Sequence, residues 1–203
     1  MTGIVLAGGK SSRMKTNKAL LSLGQRTIIE GVIETLRELF PEIILVTNTP
    51  EEYRFLGLPM VRDIYQGVGP LAGLHAGLQA ASHAYSFAVA CDMPFLNRSL
   101  IKFMREQRDN YAAVVPRIGE LLEPMHAIYS KDCLGPIEAG LRSGQHKIIS
   151  FYDLVPVRYI EQEEIARFGP VEETFFNVNT PEEYQLACQR RLWSGPPSNG
   201  PGA

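Results

Sequence analysis

From Ala7 to Lys18 the chain reads Ala-Gly-Gly-Lys-Ser-Ser-Arg-Met-Lys-Thr-Asn-Lys, two glycines followed by four cations (Lys10, Arg13, Lys15, Lys18) and two serine hydroxyls. Glycines leave backbone N–H groups open to an anion, Arg13 can grip two phosphate oxygens at once, and each lysine adds a point charge. The run before it, Gly3-Ile-Val-Leu6, is apolar and β-branched, as expected of a strand covered on both faces. A buried strand emptying into a cationic glycine loop reads as a grip for a nucleoside triphosphate. The plainer alternative is a strand-to-helix turn with solvated lysines. A P-loop fails on spacing, because Gly9-Lys10-Ser11 would need a glycine where Ile4 stands, and a dinucleotide fingerprint lacks its third glycine.

A second apolar run, Ala88-Val-Ala-Cys, ends in Asp92-Met-Pro94. A carboxylate at such a strand end can hold a divalent ion that also binds substrate phosphates; the alternative is an aspartate that caps the next turn. Asp63 follows Pro59-Met-Val-Arg62 on the same expected side, placed for a ribose hydroxyl, a base edge or a metal-bound water, with a salt bridge to Arg62 as its structural alternative. Asn48 is similar, although Asn-Thr-Pro-Glu-Glu is also a helix-entry sequence.

Gly67-Val-Gly-Pro-Leu-Ala-Gly-Leu-His-Ala-Gly77 would let a base or ribose lie against backbone around Gly69, Pro70 and Leu71. Read structurally, Gly73 and Gly77 serve close helix packing, and that is the better reading of the segment alone. In the second half His126 is expected to be a hydrogen-bonded strand histidine and Lys147 a solvated charge. The alternation in Phe176-Asn-Val-Asn179 turns Asn177 and Asn179 to one face.

The elements that must position these residues alternate in period. Strands are expected at Gly3–Leu6, Ile43–Thr47, Tyr85–Cys91, Ala112–Pro116 and Ala127–Tyr129, and helices at Ile28–Leu39, Leu71–Ala81, Ser99–Gln107, Lys131–Arg142 and Pro181–Leu192. This predicts an α/β fold: one three-layer α/β/α, Rossmann-like domain over residues 1–193 with a mostly parallel, twisted sheet. The nucleotide half is expected at about residues 1–111 and the acceptor half at about 112–193, with 194–203, Ser-Gly-Pro-Pro-Ser-Asn-Gly-Pro-Gly-Ala, a disordered tail. Ligands of such sheets sit beyond the carboxyl ends of the strands, so the loops after Leu6, Thr47, Val61 and Cys91 should share one crevice.

With 203 residues, 45% hydrophobic and 21% charged, the composition is that of an ordinary soluble domain. A net charge of −2 argues against nucleic acid as the main partner, so the cations between Lys10 and Lys18 look like a local device. No run approaches the roughly 20 apolar residues of a membrane span and no leader precedes the first strand, which points to the cytoplasm and to no membrane partner. Three scattered cysteines imply neither a disulfide framework nor a zinc site.

The motifs Leu6-Ala-Gly-Gly-x-Ser-x-Arg13-Met14 with Lys18, Asp63, Gly69-Pro-Leu-Ala-Gly73, Cys91-Asp-Met-Pro94 and Phe176-Asn-x-Asn-Thr180 together resemble the molybdenum cofactor guanylyltransferases over nearly the whole chain. The resemblance implies a Mg2+-dependent transfer of GMP from GTP to the terminal phosphate of molybdopterin, with release of pyrophosphate. It implies GTP held by Leu6, Ala7, Gly8, Gly9, Lys18, Asp63 and Asp92, to which the reading of the residues adds Asn48, Gly69, Pro70 and Leu71 as nucleotide contacts. Asp92 would also bind Mg2+, Arg13 and Lys18 would flank the triphosphate, and Asn177, Asn179 and Lys147 would lie beside the pterin substrate. Transient contact with other proteins of cofactor biosynthesis and with acceptor apoenzymes is implied as well. Lys15 stands where the family usually has glycine. The alternatives are a related cytidylyl or sugar-phosphate nucleotidyltransferase, or a non-catalytic nucleotide-binding module.

Overall fold

The computed structural model describes residues 1–8, 17–65 and 67–193. In chain order the strands are β1 (Thr2–Leu6), β2 (Ser22–Leu23), β3 (Arg26–Thr27), β4 (Glu42–Val46), β5 (Met60–Val61), β6 (Tyr85–Ala90), β7 (Ala113–Ile118), β8 (Leu121–Leu122), β9 (His126–Ser130) and β10 (Val157–Glu161). The helices are α1 (Ile28–Arg37), α2 (Pro70–Ala80), α3 (Arg98–Glu106), α4 (Leu134–Arg142), α5 (Gln162–Ile165), α6 (Val171–Thr174) and α7 (Pro181–Trp193). The main sheet runs β10-β7-β9-β6-β1-β4-β5, with β8 paired to β7, while β2 and β3 form a separate hairpin. All its main pairings are parallel except those of β9, which runs antiparallel to both β6 and β7.

Successive side chains of a strand point to opposite faces. Ile4 and Leu6 therefore join one core cluster with Leu71, Leu74, Ile137 and Phe151 from the α2 and α4 side, whereas Val5 joins the other with Ile29, Ile33 and Leu100 from α1 and α3. All five residues of β1 are buried, so it reads as a continuous apolar run rather than an alternating one.

The helices start where local chemistry starts them. Thr27 and Glu30 form a capping box, with the Thr27 N–H donating to Glu30 Oε2 at 2.7 Å and the Glu30 N–H to Thr27 Oγ1 at 3.4 Å. Asn97 Oδ1 caps α3 by accepting from the N–H groups of Ser99 and Leu100, both at 3.0 Å. Gly77 carries the close approach expected of it: a Cβ there would stand 2.6 Å from Ile4 Cγ2, so α2 lies directly on β1.

Several elements went unread in the sequence, among them β2, β3 and β10. Only Ile160 of β10 is buried, so this edge strand has little apolar signal, and β2 and β3 are two residues each. The segment 194–203 lies outside the described residues.

His126 departs from expectation. It lies in β9 and is fully buried, but neither ring nitrogen has a hydrogen-bond partner among the described residues. Its ring packs edge-on against Phe87 and Phe175, with centroids 5.0 Å away in each case. The strand pattern specified an inward-facing residue but not what would surround it. Burial drives its pKa down from 6.5 to about 3. The folded state thus refuses a proton that the unfolded chain takes up, and stability present above pH 6.5 is lost as pH falls toward 3. His126→Phe, which removes two orphaned polar atoms, is expected to hold or raise Tm at pH 7 and to flatten the decline in Tm across that window. Thermal scans from pH 7 to 4 check this, and an unchanged slope would reject it.

Candidate active site

The strands stay hydrogen-bonded to the points where their loops leave. The Ala7 N–H donates to Val46 O at 2.8 Å, the Thr47 N–H to Val61 O at 2.9 Å and the Cys91 N–H to Leu6 O at 3.2 Å. The loops after Leu6, Thr47, Val61 and Cys91 therefore depart side by side from one edge of the sheet, as expected for a parallel α/β fold. Leu6 and Ala7 turn their side chains into the core and leave backbone at this edge, while a Cβ on the exposed Gly8 would meet nothing within 4 Å. Gly9 and Arg13 lie outside the described residues.

Lys18 opens a short 3-10 turn, Lys18–Leu20, whose N-cap Asn17 accepts the Ala19 N–H at 3.2 Å. Its ammonium donates to Asn179 Oδ1 at 2.9 Å, joining positions 161 residues apart. Asp92 is half-buried, and its backbone carbonyl accepts the Val178 N–H at 3.0 Å. Burial raises the Asp92 pKa above the usual carboxylate range, the Lys18 charge opposes that rise, and the Glu183 carboxylate adds to it. Asp92 thus lies in the field of a cation from near the start of the chain and of an anion from near its end. Asp92 itself lies in the turn that follows β6, and the next helix, α3, is capped by Asn97.

Asp63 and Asn48 meet across neighbouring loops: Asn48 Nδ2 donates to Asp63 Oδ2 at 3.1 Å and the Asp63 N–H donates to Asn48 Oδ1 at 3.2 Å. Burial raises the Asp63 pKa, and Asn48 partly offsets the rise. The Arg62 alternative does not form, because Arg62 turns to Glu51 at 4.0 Å. Asn48 is likewise no helix cap; Thr49 holds that position, without a side-chain cap bond.

Gly69, with φ of 99°, precedes Pro70 at the first turn of α2, and Leu71 is fully buried, so its side chain faces the core rather than the edge. His146 Nδ1 lies 2.7 Å from Val68 O, and a Cβ on Gly69 would stand 3.6 Å from His146 O. These contacts bring the segment bearing the exposed Lys147 against residues 67–69, on the α2 face. Asn177 and Asn179 belong to the Asp92 side instead. Val178 between them is fully buried, so the alternation holds although the segment is not a strand, and Asn177 Nδ2 donates back to Phe175 O at 3.0 Å.

The sequence marks Glu183 only as an acid in the first turn of the last helix, after the cap candidates Asn179-Thr180, and it does not mark Tyr184. Glu183 Oε2 accepts the N–H groups of Asn179 at 2.6 Å and Thr180 at 2.9 Å, and the Tyr184 hydroxyl donates to Ser22 O at 2.5 Å. The signal for the first was present in Thr180-Pro-Glu-Glu183, a capping-box spacing.

A mostly parallel sheet with a glycine-ended first strand, an acid after a neighbouring strand and a lysine in its field has the build of an α/β nucleotidyltransferase. The chain belongs to the family of the MobA-like NTP transferase domain, whose model matches residues 3–157. It is 44% identical over 182 residues to the probable molybdenum cofactor guanylyltransferase of Pelotomaculum thermopropionicum, covering 90% of this chain and 89% of that one. It is 38% identical over 189 residues to the molybdenum cofactor guanylyltransferase of Desulfosudis oleivorans, covering 92% and 94%. Among solved structures, molybdopterin-guanine dinucleotide biosynthesis protein A of Archaeoglobus fulgidus superposes with a TM-score of 0.82 at 25% identity, over 95% of this chain and 100% of that one. No helix among the described residues is long and apolar enough to cross a membrane.

Proposed function

We propose that this protein transfers GMP from GTP to the terminal phosphate of molybdopterin, forming the guanine dinucleotide cofactor and releasing pyrophosphate. The observation that carries the reading is the 44% identity, over about nine-tenths of both chains, to a relative named for that activity. The convergence of Lys18, Asp92 and Asn179 at one sheet edge supports it.

A phosphate oxygen of the acceptor attacks the α-phosphorus of GTP, and the bond to the bridging oxygen of pyrophosphate breaks. The nucleophile is already anionic, so the residues position and neutralise rather than abstract a proton. Lys18 and Arg13 balance triphosphate charge, and backbone at Leu6, Ala7, Gly8 and Gly9 meets phosphate oxygens. Asp63 and Asn48 contact the nucleoside, with Gly69, Pro70 and Leu71 as the backbone beside it. Asn177 and Asn179 serve the acceptor from the Asp92 side and Lys147 from the α2 side, so the acceptor contacts come from residues 112–193 and most of the nucleotide contacts from residues 1–111.

Among the described residues no group of three or more ligands could cage a metal. A lone half-buried carboxylate such as Asp92 suits Mg2+, which takes its remaining oxygens from phosphate and water. Bound there, Mg2+ would offset charge on the triphosphate. The setting is cytoplasmic, with other proteins of cofactor biosynthesis and the acceptor apoenzymes as transient partners.

Calorimetry with GTP, CTP, ATP and UTP, each with and without Mg2+, tests the reading. GTP is expected to bind at least about tenfold more tightly than the others, a difference of about 1.4 kcal/mol, and only with Mg2+. Preference for CTP or UTP would overturn the guanine assignment.

A further inference from the structure

The family model ends at residue 157, yet the residues that hold the Lys18 ammonium and the Asp92 backbone lie beyond it, in 178–183. Four contacts tie this segment to the nucleotide side. Asn179 Oδ1 accepts from Lys18 at 2.9 Å and the Val178 N–H donates to Asp92 O at 3.0 Å. Val178 and Ala187 share a small core cluster with Leu23 and Ile28, and Tyr184 reaches the carbonyl of Ser22. The hairpin after the Lys18 turn is thus clamped by α7.

The keystone of the segment is one carboxylate. Glu183 Oε2 accepts the N–H groups of both Asn179 and Thr180, and Thr180 Oγ1 accepts the Glu183 N–H at 3.2 Å in return. This reciprocal box fixes the backbone of Asn179, and a fixed backbone aims its side-chain oxygen at Lys18. The half-buried Glu183 also lies close enough to Asp92 to act on it electrostatically.

We propose that Glu183 is a positioning residue of the nucleotide site, acting through Asn179 to hold the Lys18 ammonium where the triphosphate meets it. Asn179 then serves both substrates. Its oxygen anchors Lys18, and its Nδ2, a donor of two hydrogens, remains for an anionic oxygen of the acceptor. An ammonium has three donors, so the one given to Asn179 leaves two for phosphate, and the tether organises the site without blocking it. The inference rests on Lys18 being a triphosphate ligand, as proposed above.

The test reads GTP affinity with Mg2+ alone, so no acceptor is required. Glu183→Ala is expected to weaken GTP about 5–10-fold, the scale of one lost organising hydrogen bond, and Glu183→Gln, which keeps an accepting oxygen, to recover most of that. In an Asn179→Ala background, Glu183→Ala should cost less than about twofold more, because the two act in series. A purely structural cap would lower Tm and leave the GTP dissociation constant unchanged; that result, or tighter binding, overturns the proposal. Should Glu183→Ala fail to fold, Glu183→Asp, whose shorter carboxylate draws back from the two N–H groups, is read instead: a loss of GTP affinity seen with Asn179 present and absent in the Asn179→Ala background supports the proposal, and no loss, or an equal loss in both backgrounds, rejects it. Absence of GTP binding by the unsubstituted protein would instead overturn the underlying reading.

Discussion

Asp92→Ala is expected to cut turnover by about 10²–10⁴-fold while leaving Tm unchanged or slightly higher. The two halves of that result have one cause. Burial raises the Asp92 pKa, so the ionised carboxylate is held at a desolvation cost that Lys18 only partly offsets and Glu183 increases. Removing the group relieves that cost in the free protein and removes a strand-end acid that lies in the field of Lys18. Stability and activity then move apart, the usual mark of a site strained for function. Asp92→Asn separates charge from shape, since the amide keeps the size and an oxygen but no negative charge. It is expected to be nearly as inactive as alanine. Pyrophosphate release measured beside thermal unfolding checks both, and an Asn variant that keeps more than about a tenth of the activity would sink the metal role.

The second large effect is on stability. Gly77→Ala places a methyl 2.6 Å from Ile4 Cγ2, 3.1 Å from Ile4 Cδ1 and 3.2 Å from Val46 Cγ2. Ile4 is fully buried and β-branched, so it cannot swing aside as a long side chain would. Overpacking costs about 1–3 kcal/mol, and the gain in helix propensity from Gly to Ala returns at most about 1. A net loss of about 1–2 kcal/mol lowers Tm by roughly 2–8 °C in a chain of this length. Gly31 in α1 is the comparison, because a Cβ there meets nothing within 4 Å. Gly31→Ala is expected to stabilise by up to about 1 kcal/mol, so the same substitution changes sign with its surroundings. Equal Tm shifts in the two variants would mean that α2 does not sit on β1 as closely as described.

Much of the fold was legible because its signals are local. The unalternating runs of β1 and β6 declared burial on both faces, the apolar period from Ile28 declared a helix, and Gly77 declared a close approach. Each of these is settled within a few residues by period or the absence of a Cβ. The alternation of strands and helices along the chain followed from such runs, and with it the side of the sheet from which the loops bearing Asp63 and Asp92 leave. Residue types and spacing also carried the family, since the glycine loop and the strand-end acids sit in one linear order.

Choice of partner was not legible. Arg62 stands next to Asp63 in sequence, yet Asp63 pairs with Asn48, 15 residues away, because strand order brings their loops together. His126 looked like any strand histidine until β9 packed it between Phe87 and Phe175 with no hydrogen-bond partner among the described residues. The antiparallel course of β9 was equally hidden, since a short buried strand carries the same apolar pattern in either direction. The link from Lys18 to Asn179 spans 161 residues, and no local rule connects a 3-10 turn near the N-terminus with the entry to α7. The sequence by itself therefore determined most of the long elements, their order along the chain and the residue types available for chemistry. Which of those residues face one another was decided by tertiary structure, because such contacts differ by only about 1 kcal/mol each and are selected by the packing of the whole chain.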